Sequence, residues 1–475
     1  MYLKKLHISN FRCFRDYTIE LAPGVTVLFG KNGSGKSTLI HAIHKALSFA
    51  FYKDTKREDA LNLGAGFPEI KHRNFDKKED VIRDVETGYT VPFINIHAEA
   101  DILNADLAWD MYASTSTYNV QPSKFFAARY SLEDRIKSSD SFPVFAYFSD
   151  GFPHLSNKAD KLTKNQLDLR NLGYLGWDDE TAYSDLWITR LTKIWTIWNR
   201  AKQKETQEVS ALATSDKLKQ EGKITDEEYR EDLELHEAKL ANARKELELY
   251  DPEVSAIRDC LVAFSKKLPG IDVLDFFVSV YEEDGLCLET KDGQNPPFEK
   301  LPAGYKRIFY MALDIAYRSY ILNGTTDSEG IVVIDEIDLH LHPALEQVIL
   351  QCFQETFQRI QFVVSTHSPL VLTDIDTVTD RNKVMRMTPA CDAPEECRNI
   401  YGIDYNQMLE EIMGVRKRKP EIQELFDKAW DEVAEKNTEA AKAIVDKLEA
   451  KKTPADQIEL IQLRAIINRI EIIGK

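Results

Sequence analysis

A short glycine-rich segment, Gly30 to Ser37, constrains the fold of this chain more than any other feature. Its residues are Gly-Lys-Asn-Gly-Ser-Gly-Lys-Ser, and it follows the apolar, β-branched run Val25–Phe29. After the segment, apolar residues recur with helical spacing from Lys36 to Leu47. The pattern G-x-x-x-x-G-K-[ST] between a strand and a helix is the context that a phosphate-binding loop requires. The sequence therefore predicts an α/β fold in which this loop joins a buried strand to a helix.

The residue types of the loop predict its ligand. Glycines allow successive backbone N–H groups to turn inward around a triphosphate, and a lysine at the position of Lys36 neutralises the β and γ phosphates. The Ser37 hydroxyl is suited to ligate Mg²⁺. We therefore predict that the chain binds ATP together with Mg²⁺. The predicted nucleotide-contacting residues of the loop are Gly30, Asn32, Gly33, Ser34, Gly35, Lys36, Ser37 and Thr38.

A second apolar strand ends in two acids. The β-formers Ile331–Ile334 are followed directly by Asp335 and Glu336. Asp335 would emerge at the carboxyl end of the strand, where it can hold Mg²⁺ through water, and Glu336 would polarise the attacking water as a general base. Acids often end buried strands for structural reasons, but after a phosphate loop the pattern favours a Walker B strand. We predict Ser37 and Asp335 as metal ligands and Glu336 as a catalytic residue.

A third apolar run, Phe362–Ser365, leads into Thr366 and His367. An isolated histidine is more often structural than catalytic. In this order along the chain, however, the segment resembles the switch histidine segment of ABC ATPases, in which the imidazole contacts the γ phosphate. The resemblance implies a catalytic role for His367.

The segment Leu301–Arg307 stands at a predicted loop-to-helix junction and resembles the ABC signature LSxGx[RQ]. The helix N-terminus and the Gly304 amide would present a positive dipole to a phosphate. In ABC proteins that phosphate belongs to ATP held by the other subunit, so the resemblance implies a dimer. Pro302 replaces the usual serine and removes a hydroxyl donor. The alternative interpretation is an ordinary Pro-Gly helix start.

Three further features indicate a narrower group. They are the opening Leu6–Arg12, the long stretch between Lys36 and Leu301, and the segment Asp335–Pro343. With these features the chain resembles the RecF/OLD-like ABC ATPases. Within that group, the residues of the signature segment and the helical C-terminal tail are most similar to those of the PtuA ATPases of the Septu anti-phage systems.

The resemblance implies a set of partners and one further site residue. Arg12 would lie near the nucleotide, whereas Phe11 is equally explained as a core residue. The protein would form a homodimer or a higher even oligomer and would regulate a PtuB-like HNH nuclease in anti-phage defence. It would meet DNA directly or through that partner. The resemblance also leaves room for an association with a reverse transcriptase or RNA.

Two other functions are compatible with the same motifs. The first is a RecF-type repair ATPase that binds DNA without a nuclease partner, which predicts ATP-dependent DNA affinity with a steep salt dependence. The second is a self-contained OLD-type nuclease, which needs a carboxylate-rich Toprim domain after His367. The residues after His367 favour helices instead of the αβ pattern of a Toprim domain, so we expect no nuclease domain in this chain.

Changes of pattern along the chain predict its domains. We expect an ABC-type, RecF-like head at residues 1–150 and 255–395, and a helical C-terminal region for partner binding at 396–475. Between the two parts of the head, residues 151–254 favour an inserted helical hairpin. Its turn is predicted near Gly222, because Thr225 and Glu228 form the T-x-x-E capping box of a second helix.

The amino-acid composition bears on the kinds of partner and on the cellular compartment that we expect for the protein. The chain has 61 Lys and Arg against 78 Asp and Glu, a net charge of −17, which argues against indiscriminate coating of nucleic acid. Six scattered cysteines and the lack of a signal-peptide pattern indicate a reducing, cytoplasmic setting. No apolar run approaches the ~20 residues that span a bilayer, so we expect no membrane association. The densest basic run, Arg416–Lys419, is either a phosphate contact or a solvated face.

Overall fold

The structure, a computed structural model, describes most of the chain. The described residues are 1–54, 63–83, 88–153, 162–178, 185–279, 281, 285–373, 375–388, 393–398, 400, 402–415, 418–451 and 457–473. Their contacts divide the chain into two compact units, Met1–Gly402 and Ile403–Lys475. None of the helices in these ranges is both long and apolar enough to cross a membrane.

The regular elements follow the distribution of apolar residues. The strands are, in chain order, β1 (Tyr2–Phe11), β2 (Phe14–Glu20), β3 (Val25–Gly30), β4 (Phe93–Ile102), β5 (Ala105–Ser114), β6 (Val144–Phe148), β7 (Val273–Val278), β8 (Leu286–Thr290), β9 (Gly330–Ile334), β10 (Ile360–Thr366), β11 (Asn382–Met387) and β12 (Glu395–Glu396). The helices are α1 (Lys36–Leu47), α2 (Phe126–Ser139), α3 (Lys164–Leu167), α4 (Asp185–Gln220), α5 (Asp226–Ser265), α6 (Ala303–Asn323), α7 (Pro343–Glu346), α8 (Ile349–Thr356), α9 (Pro369–Thr373), α10 (Tyr405–Gln407), α11 (Pro420–Ala434), α12 (Thr438–Ala450) and α13 (Ile458–Ile473).

The central sheet has the strand order β12-β11-β3-β10-β9-β6. All of its neighbours are parallel except the edge pair β11 and β12. The strands β6, β9 and β10 are buried along their whole length. Strands that are buried on both faces need helices above and below them, and α1 supplies part of this cover by packing on β3, β9 and β10. This sheet is the parallel α/β core that the sequence predicts.

A second, antiparallel sheet has the order β2-β1-β4-β5. Buried and half-buried residues alternate along β4, as expected for a sheet with one solvated face. At the end of β1, Phe11 is fully buried, and its ring lies 5.9 Å from that of Phe75. Phe11 is therefore a core residue, which was one of the two interpretations. The residues after it, Arg12 and Cys13, form the turn into β2.

Helices α4 and α5 form the predicted hairpin. Gly222 supplies the turn with a φ angle of 67°. Thr225 caps α5 by accepting from the Glu228 N–H at 3.2 Å, while the Glu228 carboxylate accepts from the Thr225 N–H at 2.8 Å. The predicted capping box is therefore confirmed. Polar pairs such as Ser215 with Asp232, at 3.1 Å, join the two helices near the turn.

The second helix of the hairpin continues into the head without a break. After Pro252 the apolar pattern of the sequence predicts a helix near Val254–Lys267. In the structure this helix is the end of α5, and Pro252 lies inside α5. Proline removes one helical hydrogen bond and strains the preceding turn, and side-chain contacts on both sides of it hold the helix together. The Trp198 indole donates to Asp251 at 2.8 Å, and Arg190 binds Glu253 at 2.7 and 2.9 Å.

Two observations bear on the predicted domain limits at 150/151, 254/255 and 395/396. Helix α5 crosses the limit at 254/255. The division by contacts falls after Gly402 and keeps the hairpin in the first unit. In the second unit α11, α12 and α13 enclose a small apolar core that includes Phe426, Leu448 and Leu463. The helical character of this region agrees with the sequence pattern, and the predicted limits themselves stay predictions.

Candidate nucleotide site

The carboxyl ends of four parallel strands meet at one edge of the central sheet. Among these four strands, the last residues paired with one another at this edge are Phe29 of β3, Phe148 of β6, Ile334 of β9 and Thr366 of β10. The parallel strand β11 ends beside them, where Met387 pairs with Gly30. The segments that follow these strands are therefore neighbours in space. They include the glycine-rich loop, Asp335 with Glu336, and His367. Ligands of open α/β sheets bind outside this edge, and the fold brings the three sequence motifs together there.

Three glycines make the path of the loop possible. Gly30, Gly33 and Gly35 have φ angles of 150°, 78° and 93°, which side chains rarely tolerate. A Cβ on Gly30 would meet the Met387 carbonyl oxygen at 2.4 Å, and one on Gly35 would meet the Phe14 ring at 2.8 Å. Gly33 has open space around it, so that position needs glycine for its backbone angle alone.

Lys36 is the first residue of α1 and is only 6% exposed. Its Nζ donates to the carbonyl oxygens of Gly30 at 2.9 Å and Lys31 at 3.3 Å. Burial lowers the pKa of Lys36, while the nearby carboxylates of Asp335 and Glu336 act in the opposite direction. The ammonium group therefore shares its electrostatic environment with both predicted Walker B acids.

The other loop residues divide into exposed and buried donors. Asn32 and Ser37 are exposed and Thr38 is half-buried. Ser34 is 1% exposed, and its hydroxyl has no hydrogen-bond partner among the residues that the structure describes. Leaving a buried hydroxyl unpaired costs about 1–3 kcal/mol. A phosphate oxygen in the loop would satisfy such a donor.

Ser365 of β10 fixes both predicted Walker B acids. Its hydroxyl donates to the Asp335 carboxylate and accepts from the Glu336 N–H, the latter at 2.8 Å. The Asp335 N–H donates to the Phe148 carbonyl oxygen at 2.8 Å. Glu336 has a φ angle of 51°, a left-handed conformation that costs about 1–2 kcal/mol for a residue with a Cβ. No sequence pattern indicated this role of Ser365, because small hydroxyl residues in buried strands are common.

The end of β10 is tied to the segment that follows Glu336. The Asp338 carboxylate accepts from the Thr366 hydroxyl at 2.6 Å and from the His367 N–H at 3.2 Å. The imidazole of His367 is exposed at the sheet edge. Asp338 thus holds the backbone of His367 while the ring stays accessible to a ligand.

Gly304 lies in the first turn of α6 and is buried. A Cβ at this position would meet the His340 carbonyl oxygen at 2.8 Å and the Leu341 side chain at 3.4 Å. The glycine is therefore required by the close approach of the loop after Asp338. The preceding residues Pro302 and Ala303 are exposed, so the start of α6 is open to solvent even though Gly304 is not.

Arg307, one turn further along α6, is a residue that the sequence analysis named only as part of the signature segment. It is 2% exposed. Its guanidinium donates at 2.9 to 3.3 Å to the carbonyl oxygens of Ser149, Asp150, Phe152, Asp335 and Glu336. Arg307 therefore connects the signature segment with the Walker B acids and with the loop after β6. An arginine inside a mostly buried helix was the only sequence signal for this role.

Arg12 lies at the turn between β1 and β2, beside the phosphate loop. Its Nε donates to the Asp80 carboxylate at 3.0 Å, and Asp80 is 1% exposed. The Sγ of the next residue, Cys13, would be 3.2 Å from a Cβ on Gly35. The predicted nucleotide contact Arg12 is thus close to the loop, and a carboxylate that the sequence did not indicate holds it.

The basic run at 416–419 is partly accounted for by the C-terminal unit. Arg416 and Lys417 lie outside the described residues. Arg418 pairs with Glu459, and its guanidinium carbon lies 4.1 Å from the centre of the Phe426 ring. Arg418 therefore stabilises the packing of this unit, and its charge is already compensated.

Comparisons with known proteins agree with this geometry. Residues 1–372 match the AAA ATPase domain family. The chain is 25% identical over 447 residues to the Retron Ec83 probable ATPase of Escherichia coli, covering 88% of this chain and 77% of that protein. It is 27% identical over 164 residues to the Septu protein PtuA of Bacillus thuringiensis, covering 31% of this chain and 40% of that protein. An Smc head domain with an extended coiled coil, derived from Pyrococcus furiosus and bound to the C-terminal domain of ScpA, aligns over 83% of this chain and 96% of that chain, with 17% identity and a TM-score of 0.41.

The family match includes the three sequence motifs that meet at the sheet edge. It spans the phosphate loop, the acids after β9 and the histidine after β10. The chain is thus an ABC-like ATPase with local similarity to PtuA. This protein therefore belongs to the AAA ATPase domain family.

Proposed function

We propose that this protein binds ATP with Mg²⁺, hydrolyses it, forms a dimer around the nucleotide and regulates a DNA-directed nuclease in anti-phage defence. The observation that carries the proposal is the convergence of the phosphate loop, Asp335 with Glu336, and His367 at one sheet edge. The helical hairpin and the C-terminal unit are additions to that ATPase head.

The residues at this edge fit a nucleotide with its metal ion. A phosphate in the loop would satisfy the buried, unpaired Ser34 hydroxyl and the Lys36 ammonium, and Ser37 is exposed in the same loop. Mg²⁺ prefers oxygen ligands and keeps several waters, so Ser37 and Asp335 would hold it together with phosphate oxygens and water. No group of three or more His, Cys, Asp or Glu in the described ranges forms a metal site by itself. When bound, the ion would neutralise charge on the β and γ phosphates.

The chain's own residues supply the rest of the chemistry. Lys36 exchanges its two carbonyl acceptors for phosphate oxygens, which removes the cost of a buried ammonium group. Glu336 accepts a proton from the attacking water, and the hydrogen bond from its N–H to Ser365 fixes its backbone for this role. The exposed imidazole of His367 donates to the γ phosphate. Each of these groups acts on charge that grows as the phosphoryl group is transferred.

Dimerisation follows from the exposed start of α6. Its first-turn N–H groups and helix dipole favour an anion, and Pro302 and Ala303 leave this end accessible. A phosphate held by a second subunit would be bound there, giving a homodimer or a higher even oligomer. Pro302 offers no hydroxyl, so the helix amides would carry this contact.

The partner is inferred from similar proteins. A Septu PtuA and a retron ATPase are among the relatives of this chain, and both names belong to defence systems. We infer an HNH nuclease of the PtuB type as the partner, with DNA met through that nuclease or directly. The retron relative adds a reverse transcriptase or its RNA as a further associated component. The C-terminal unit is the proposed partner surface.

Co-purification tests this proposal. The chain is expressed with the reading frames that flank its gene, and complexes retained on a tag are identified by mass spectrometry with and without ATP. Retention of an HNH nuclease supports the proposal. A chain that hydrolyses ATP and binds DNA alone, with affinity that falls steeply between 50 and 200 mM salt as phosphate contacts predict, would instead identify a RecF-type repair ATPase.

A further inference from the structure

A carboxylate from a region without sequence motifs is buried between Arg12 and the helix α1 that follows the phosphate loop. Asp80 is 1% exposed. Its two oxygens contact Arg12 Nε at 3.0 Å and Lys45 Nζ at 3.2 Å. The Asp76 N–H also donates to it, at 2.8 Å. A buried charge is costly unless it is paired and hydrogen-bonded, and here every described contact of Asp80 offsets that cost.

The two cations come from different parts of the head. Arg12 belongs to the turn between β1 and β2, while Lys45 lies near the end of α1, the helix that begins at the phosphate loop. The Arg12 N–H also donates to the Asp80 carbonyl oxygen, at 3.1 Å, and Arg12 has a φ angle of 52°. Asp80 therefore fixes both the backbone and the side chain of Arg12 relative to α1.

The fixed guanidinium keeps donors available. Among the described contacts, its hydrogen bond to Asp80 uses Nε, and Nη2 is 3.8 Å from the exposed carboxylate of Glu79. The pKa of His41 on α1 is lowered by burial and further by Arg12, while Asp335 raises it. His41 thus lies within electrostatic range of both groups, and the residue after Arg12, Cys13, has its Sγ 3.2 Å from where a Cβ on Gly35 of the phosphate loop would lie.

We propose that Asp80 is a positioning residue that holds Arg12 so that its outer nitrogens donate to a phosphate of the bound nucleotide. A guanidinium offers five N–H donors in a rigid fork, so Asp80 can occupy one side while the other faces the ligand. This inference rests on the proposed ATPase function. The ligand chemistry is a nucleoside triphosphate, and Asp80 itself does not touch it.

A double-mutant cycle on ATP hydrolysis tests the proposal. The purified full-length chain is compared with Asp80→Asn, Arg12→Ala and the double variant, and kcat and KM are measured for each. Because Asp80 acts through Arg12, each single change lowers kcat/KM by about tenfold, and the double variant is no worse than Arg12→Ala. Fully additive losses would mean that Asp80 acts independently of Arg12, which would overturn the proposal.

Glu79→Gln is the matched control. Glu79 contacts the same guanidinium but is 75% exposed, and exposed ion pairs contribute little. We expect its kcat/KM to stay within about twofold of the wild-type value. A loss as large as that of Asp80→Asn would show that any nearby negative charge suffices and would refute a specific positioning role.

A second variant covers the case in which Asp80→Asn fails to fold. Arg12→Lys keeps the positive charge, but a single ammonium group cannot hydrogen-bond Asp80 and a phosphate at once in the fixed geometry of a guanidinium. We expect it to lose about as much kcat/KM as Arg12→Ala, and wild-type activity in Arg12→Lys would overturn the proposal.

A wild-type chain that neither binds nor hydrolyses ATP overturns the proposed function and this inference with it. An active wild type with an additive cycle overturns only the inference.

Discussion

The glycine-rich loop and the start of α6 are the two backbone segments that we propose bind phosphate, and their conformations are specified differently. In the loop, the decisive features are local, since Gly30, Gly33 and Gly35 adopt positive φ angles and Lys36 folds back on two nearby carbonyls. At the start of α6 the decisive contacts are distant in sequence. Gly304 meets the His340 backbone, and its neighbour Arg307 binds the loop after β6.

This difference has a functional meaning. A loop whose backbone geometry is determined by its own residues can adopt its binding conformation before the ligand is bound. A helix start whose neighbours include the residues after Asp335 changes its surroundings whenever those residues move. Arg307, which donates to the carbonyls of both Asp335 and Glu336, gives the signature segment a direct mechanical link to the Walker B acids. Substitutions in the loop are therefore expected to affect ligand binding, and those in α6 to affect folding and coupling.

The largest effect is expected from Lys36→Ala. Removing a buried cation from a phosphate site costs about 2–5 kcal/mol, so ATP affinity falls by about 30-fold to several thousand-fold. Isothermal titration with ATP and Mg²⁺ measures this, with Lys383→Ala on β11 as the control. Thermal stability is retained, because the loop keeps its glycines. An unchanged ATP affinity would refute the assignment of the phosphate loop.

Glu336→Gln separates binding from turnover. The amide keeps the size of the side chain but cannot accept the water's proton, and a general base contributes about 10²–10⁴-fold. We expect kcat to fall by about 100-fold or more while ATP binding persists. Light scattering in the presence of ATP should detect a persistent dimer. Glu355→Gln, an exposed acid on α8, is the control, and undiminished hydrolysis by Glu336→Gln would exclude it as the base.

Arg307→Met tests the contacts between α6 and residues distant in sequence. It leaves five carbonyl oxygens without their donor, so we expect a loss of roughly 3 kcal/mol in the free energy of unfolding, together with slower ATP turnover. Thermal unfolding without nucleotide and steady-state hydrolysis measure the two effects. The control is Lys306→Met on the same helix, since Lys306 pairs with the exposed Glu299 and surface pairs contribute little. Equal melting temperatures for the two variants would contradict the stabilising role of the Arg307 hydrogen bonds.

The smallest effect is expected from Gly304→Ala. Alanine favours a helix over glycine by about 0.5–1 kcal/mol, but here its Cβ would lie 2.8 Å from the His340 carbonyl oxygen. Overpacking of this kind typically costs about 1–3 kcal/mol, so we expect a net loss of stability and reduced hydrolysis. Gly222→Ala, at the open hairpin turn with a φ angle of 67°, should lose stability through strain but hydrolyse ATP normally. A more stable Gly304→Ala variant would contradict the close approach.

Local sequence patterns predicted the individual helices and strands of the head more accurately than the way these elements connect and pair. The predicted helix Lys36–Leu47 coincides with α1, and the capping box at Thr225 is present. The helix predicted near Val254–Lys267 is the end of a longer helix, because side-chain contacts from α4 hold α5 together across Pro252. Strand β11 was not predicted, since its short mixture of polar and apolar residues becomes a strand only beside β3.

The site divides in the same way. The sequence by itself determined where the glycine-rich loop, the two acids after β9 and the histidine after β10 stand, because each follows a strand with a clear apolar run. Their roles as phosphate loop, Walker B acids and switch histidine are predictions from residue types at fixed spacing. Only the tertiary structure decided that Ser365 fixes the Walker B acids, that Arg307 links them to α6, and that Asp80 holds Arg12. These contacts join residues far apart in the chain, and a buried serine, arginine or aspartate has no spacing pattern of its own. Their positions are set by how the sheets and helices pack, which no local sequence signal specifies.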